Sequence, residues 1–130
     1  MSVVGKIVEA IESTEPGGTF SLATEVPDEP ADGYFVGGQD LTSLVFRRKD
    51  ARKAQVVRQI NDFVSRLNTS FVGWWTDPET GKVWLDGVEW YLSHDVAASV
   101  ARRHGELAFW DIARQRELRL AYYVDGEAQV

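Results

Sequence analysis

His94 and His104 are the only imidazoles in the chain, ten residues apart on a stretch with helical spacing. Ten helical residues separate two side chains by about 15 Å and turn them about 80° around the axis. They cannot share one metal ion, and neither stands in a zinc-binding spacing. Ser93-His94-Asp95 offers the chemical types of a nucleophile triad. Adjacent helical side chains point in different directions, however, and Ser93 reads more simply as a helix cap. His104, just before Gly105, suits the negative end of a helix dipole. Asp77, Glu79, Asp86 and Glu89 surround an indole-rich segment. An acid pair flanked by tryptophan can hold a sugar while protonating its glycosidic oxygen, yet Asp77-Pro78 and Asp86-Gly87 are equally ordinary turn chemistry. Pro16-Gly17-Gly18 and Gly37-Gly38 lack the strand-to-helix fingerprint and following lysine of a phosphate cradle. No catalytic residue, metal ligand or cofactor is assigned from these patterns. A small-ligand enzyme of unknown class stays as one alternative reading.

Charge supplies a second kind of chemistry. The net charge is −6, and residues 47–66 form a basic block between acidic flanks. Arg47, Arg48, Lys49, Arg52 and Lys53 are the candidate phosphate contacts, because arginine binds phosphate through its planar fork. A nucleic-acid-binding module through 47–66 is therefore an alternative function. The competing reading is a solvated helix face paired with the acidic N-terminal third, whose field would repel a polyanion.

The residues best suited to recognition are aromatic. Phe71, Trp74, Trp75, Trp84 and Trp90 bracket the turn Asp77-Pro78-Glu79-Thr80-Gly81-Lys82, and the segment reads as a β-hairpin. Phe71 and Trp75 share one face and Trp74 points to the other. Two aromatic faces need two covers, a helix layer and something else. Trp74, Trp84 and Trp110 are the candidate partner-binding residues, with Asp28 and Glu29 of an acidic loop as a competing contact surface. The turn leaves the register open. Pairing Thr76 with Val83 sets Trp75 opposite Trp84, whereas a one-residue bulge sets Trp74 there, as a Trp74–Trp84 binding face requires.

The elements that must position these residues follow from apolar periodicity. Val4, Ile7, Val8 and Ile11 predict a helix that Pro16-Gly17-Gly18 ends. Residues 19–24 read as a strand, 25–33 as the most mobile loop, 34–36 and 41–46 as two strands. Asp50 is the expected N-cap of the strongest helix, with a stripe of Ala54, Val56, Val57, Ile60, Phe63, Val64 and Leu67. After the hairpin a separate strand, 88–92, follows Asp86-Gly87. Ser93 opens a helix whose expected buried side is Val96, Ala97, Val100 and Ala101, stopped by Gly105. Strands at 107–112 and 117–124 finish the fold, with 125–130 expected to fray. Phe35-Val36-Gly37 and Phe71-Val72-Gly73 hint at two halves on one plan. The whole predicts a single α+β domain over 1–130, an antiparallel sheet packed against two or three helices. There are no cysteines, and the N-terminal segment lacks a signal peptide or membrane span, so a cytoplasmic location is expected.

The stretch Phe71-Val72-Gly73-Trp74-Trp75-Thr76-Asp77-Pro78-Glu79-Thr80-Gly81-Lys82-Val83-Trp84-Leu85-Asp86, together with 98–104 and Gly105-Glu106-Leu107-Ala108-Phe109-Trp110-Asp111-Ile112, resembles small uncharacterised proteins of actinobacteria and their phages. The resemblance covers the C-terminal half, brings no catalytic position, and implies a bacterial or phage accessory protein. The function expected is a non-enzymatic protein-interaction domain, regulatory or host-directed, binding another protein or a second copy of itself. Homodimerisation through the sheet is the simplest cover for surplus indoles.

Overall fold

The computed structural model describes residues 2–13, 16–124 and 127–129. Helices α1 (Val3–Ser13), α2 (Ala54–Arg66) and α3 (His94–Arg103) accompany strands β1 (Gly17–Ser21), β2 (Val26–Pro27), β3 (Tyr34–Arg47), β4 (Phe71–Thr76), β5 (Lys82–Tyr91), β6 (Ala108–Asp111) and β7 (Arg116–Arg119). These strands form one antiparallel seven-stranded sheet in the order β2-β1-β4-β5-β3-β6-β7. Strands β8 (Ala121–Val124) and β9 (Glu127–Gln129) pair separately. The fold is α+β, and none of its described helices is long and apolar enough to cross a membrane.

All three helices lie on one face of the sheet. Along β4 and β5 the alternation sends Val72, Trp74, Val83 and Leu85 into a core with Val4, Ile7, Ile11, Ile60 and Phe63 of α1 and α2. Tyr91 shares that parity and packs with α3, against Val36, Phe109 and the small Ala97, Ala98 and Ala101. The alanines allow the close approach expected, but the rings that fill it are Tyr34, Phe109 and His94, with centroids 5.5 to 5.8 Å apart. Val96, expected in the buried stripe, is 48% exposed. Ser93 Oγ accepts the Val96 N–H at 3.3 Å, and this cap sets a phase that turns Val96 outward and Ala97 and Ala98 inward.

Several boundaries differ from the expected ones for identifiable reasons. The Asp50 side chain does not cap α2. Arg48–Asp50 form a 3-10 turn instead, so that Asp50 meets Lys53 Nζ at 3.0 Å and the helix begins beyond Lys53. Asp86-Gly87 is no turn but mid-strand in β5. The missing side chain of Gly87 lets the Gln39 carbonyl of β3 and the Leu67 side chain come close. Gly37-Gly38, expected to end a strand, lies in an irregularity of a single long β3, with register shifts against β5 between Val36 and Gln39 and between Gln39 and Leu44. The expected strand 117–124 splits at Leu120 into β7 and β8. Of the tail expected to fray, Glu127–Gln129 form β9, while 125, 126 and 130 lie outside the described residues.

The acidic loop 25–33 is tied at several points rather than left loose. Asp28 N–H donates to the Thr19 carbonyl at 3.1 Å, Ile112 N–H to the Gly33 carbonyl at 3.1 Å, and the Trp90 indole to the Asp32 carbonyl at 2.8 Å. Gly33, at φ +90°, lies so close to the Trp90 ring that a side chain there would strike it.

Candidate functional site

The face opposite the helices carries the exposed indoles of the hairpin. Register places Gly17, Trp75, Trp84 and Val45 side by side across β1, β4, β5 and β3. Trp75, Trp84 and Val45 are 52%, 43% and 39% exposed. The turn that sets this row is closed by Asp77 N–H to the Lys82 carbonyl and Gly81 N–H to the Asp77 carbonyl, each at 2.8 Å. Asp77 also accepts from Glu79 N–H and Thr80 Oγ1, which holds its carboxyl below the usual range. Thr76 therefore pairs with Val83 and Trp75 with Trp84, the symmetric register. Trp74 is the correction this brings: it pairs with Leu85, faces the helices and is 5% exposed, so it is a core residue and no interface anchor.

Further along the same face the sheet closes on a cleft of about 560 Å³. Gly17 and Thr19 of β1 and Glu117 of β7 line it together, which requires the sheet to curl, because four strands separate β1 from β7. Trp75, Phe35, Val88 and Trp110 give apolar walls, and Glu29, Asp86, Glu106 and Glu117 contribute carboxylates, with no Lys, Arg or His among the lining residues. Trp110 and Glu117 are register partners, and Phe35 pairs with Trp110 on the other side. Glu29, on the tied loop, accepts from the Gln115 amide. Glu106 is placed by the end of α3: its N–H donates to the Ala101 carbonyl at 2.9 Å and Gly105 N–H, at φ +69°, to the Arg102 carbonyl at 3.1 Å. This is a Schellman stop, and it lays the Glu106 carboxylate against Gly37 and Gly38, where a side chain at Gly38 would collide with it.

Burial pushes the Asp86 carboxyl up, with the Ser43 hydroxyl bonded to Asp86 Oδ1 opposing. Burial also pushes Glu106 up, and the neighbouring Asp86 charge adds to it. A carboxyl raised in the folded state stabilises the fold fully below its unfolded value, and that contribution is lost as pH rises through the folded one. Asp86→Asn should therefore be at least as stable as the parent at pH 7. The parent should gain on the variant as pH falls, closing the difference near pH ~4, where an unfolded carboxyl takes its proton. Denaturant melts across that range read this directly, and a marked loss of stability at pH 7 would show that the charged form is held by favourable bonds instead.

The other expected residues scatter. Trp84 lies in the exposed row and Trp110 in the cleft, whereas the Asp28 side chain is exposed on the loop and does not line the cleft. Asp77 and Glu79 stay in the hairpin turn, and Glu89 faces the helix side, accepting from Ser70 N–H at 3.1 Å. Of the four acids read around the indoles only Asp86 enters the cleft. Ser93 is occupied as a cap, so the Ser93-His94-Asp95 types form no triad, while His94 sits 3.2 Å from Asp95. Within the basic block, Arg52 Nε donates to both Glu12 oxygens at 3.0 Å and Arg48 donates to the Glu12 carbonyl near the C-terminal end of α1. Arg47 and Lys49 are exposed. Pairing with the acidic N-terminal third is thus the arrangement present for Arg48 and Arg52. Among the described residues no group of three or more His, Asp or Glu is placed to hold a metal ion.

Trp75 and Glu106 were missing from the residues singled out by sequence. The symmetric hairpin register was the available signal for Trp75, and the His104-Gly105 helix stop was the signal for Glu106. Comparison of the chain with protein-family models, curated proteins and solved structures found no match.

Proposed function

We propose that this chain is a non-enzymatic protein-interaction domain, regulatory or accessory in role, that engages its partner with the helix-free face of the sheet. The observation that carries this reading is the row Trp75–Trp84–Val45, in register and about half exposed where no helix covers it. Indoles held on a rigid sheet are effective interface anchors because they remove much apolar area from water at little entropic cost. A second copy of the chain is the simplest partner. The basic segment is the weaker site, since Arg48 and Arg52 already engage Glu12.

Trp84→Ala and Trp75→Ala test this. Each removes a cross-strand pair worth about 0.2–1 kcal/mol, so folding stability should change by no more than that order while association is lost. Sedimentation of the purified chain and affinity capture from extract, with parent and variants side by side, give the reading. Variants that stay folded and still associate as the parent does would refute the row as the contact.

A further inference from the structure

We propose that the chain forms a two-fold homodimer in which the Trp75–Trp84–Val45 rows of two copies stack, and Arg47 and Lys82 of each copy reach the Asp86 side of the row on the other. This rests on the interaction reading above and specifies its partner and orientation.

The helix-free face carries opposite charges on the two sides of the row. Two residues along β5 from Trp84 stands Lys82 in one direction and Asp86 in the other, and side chains two apart share a face of the sheet. Arg47 is the register partner of Lys82 and lies two residues beyond Val45, so both exposed cations stand together at one side of the row. Asp86, Glu29 and Glu117 line the cleft on the other side. Like charges directly opposite on neighbouring strands are unfavourable within one copy. Among the described residues neither Arg47 nor Lys82 enters a salt bridge. Lys82 does lie across the turn from Asp77 and helps hold its carboxyl down, but Glu79 N–H and Thr80 Oγ1 already engage that carboxylate. Asp86 accepts the Ser43 hydroxyl at Oδ1, which leaves Oδ2 for a further donor.

Charge then selects the symmetry. Sheets packed face to face in the aligned manner keep their strand directions within about 30°, which leaves two possible two-fold axes, one along the strands and one along the row. An axis along the strands sets the cations of the two copies over each other. An axis along the row reverses the strands, so each indole meets its own equivalent while the Arg47–Lys82 side of one copy covers the Asp86 side of the other. The spacing matches, because Lys82 and Asp86 stand at equal steps of about 6.7 Å from Trp84. Each charge contact occurs twice, beside stacked indoles that exclude water and so reduce screening. A polyanion such as nucleic acid suits only the Arg47–Lys82 side and would meet the cleft carboxylates beyond the row.

Sedimentation of the purified chain at about 50 mM salt, where surface charge is little screened, tests this by charge reversal and mixing. Expected is a parent dimer whose dissociation constant rises with added salt, and rises about tenfold or more in Arg47→Glu with Lys82→Glu, and likewise in Asp86→Lys. Mixing these two variants, one of them labelled, should restore a heterodimer of parental affinity, because both of its charge contacts again join opposite signs. Asp86→Asn should weaken the dimer as well, so the result does not depend on Asp86→Lys folding. A mixture no tighter than either folded variant alone, or Asp86→Asn dimerising as the parent does, would overturn the proposal. A dimer lost in Trp84→Ala but untouched by charge reversal would keep the row as the contact and remove this orientation. A parent that stays monomeric at its highest soluble concentration would overturn self-pairing, and the interaction reading would still stand if Trp84→Ala abolished capture of another protein.

Discussion

Trp74→Ala should cost about 3–5 kcal/mol of folding stability, the range for removing a large buried aromatic side chain. Its neighbour makes the contrast sharp. Trp74 and Trp75 are consecutive on β4, yet the pleat sends Trp74 into the core with Val72, Leu85 and the two N-terminal helices, and sends Trp75 to the open face at 52% exposure. Trp74 also packs closely over Gly18, its register partner on β1. The truncation therefore loses transfer free energy, leaves a cavity and uncovers an edge contact. Parallel urea melts of Trp74→Ala and Trp75→Ala decide it. Equal midpoints for the two variants would mean that the hairpin register is wrong, since a one-residue slip exchanges the faces of every side chain on the strand.

Ile60→Ala is expected to cost about 2–5 kcal/mol. Ile60 is fully buried at the centre of the α2 stripe, beside Phe63 and partly buried Val56, Val57, Val64 and Leu67. That helix has no side-chain cap at its N-terminus, and residues Arg58 and Asn61 beside Ile60 are exposed. Its attachment comes from this narrow apolar stripe, as tertiary burial supplies most of a short helix's stability. Near-parental melting of both Ile60→Ala and Phe63→Ala would show that α2 does not dock through these residues. Only the α1–α2 layer should suffer, because α3 belongs to a separate cluster around Val36 and Phe109.

What the sequence made legible was local. Val4, Ile7, Val8 and Ile11 announced α1 through a helical period, the stripe through Ile60 and Phe63 announced α2, and Ser93 and Gly105 marked both ends of α3. The alternation of Phe71, Trp74 and Trp75 gave their faces correctly, though not which face the helices take. The rest is set by contacts between distant residues. Gly87 looks like turn chemistry until β3 is seen to bulge across it, and Gly37-Gly38 looks like a strand end for the same reason. The cleft is invisible to periodicity because Gly17, Asp86, Glu106 and Glu117 come together only through the curl of the sheet. Glu106 in particular follows a helix stop, where an acid draws no notice. Asp50 misled because an acid shortly before an apolar stripe resembles a cap, while here a tight turn intervenes.

The strand order β2-β1-β4-β5-β3-β6-β7 has a consequence for the time at which the chain can fold. β1 and β3 are made early, but their long ladders are with β4 and β5, and β3 also pairs with β6. As the chain leaves the ribosome, two helices with apolar stripes and a strand of 14 residues must wait, without a sheet to join, until the β4–β5 hairpin emerges. The hairpin is thus the template on which the earlier half is assembled, and the interval before its synthesis is when the nascent chain is most exposed to misassociation.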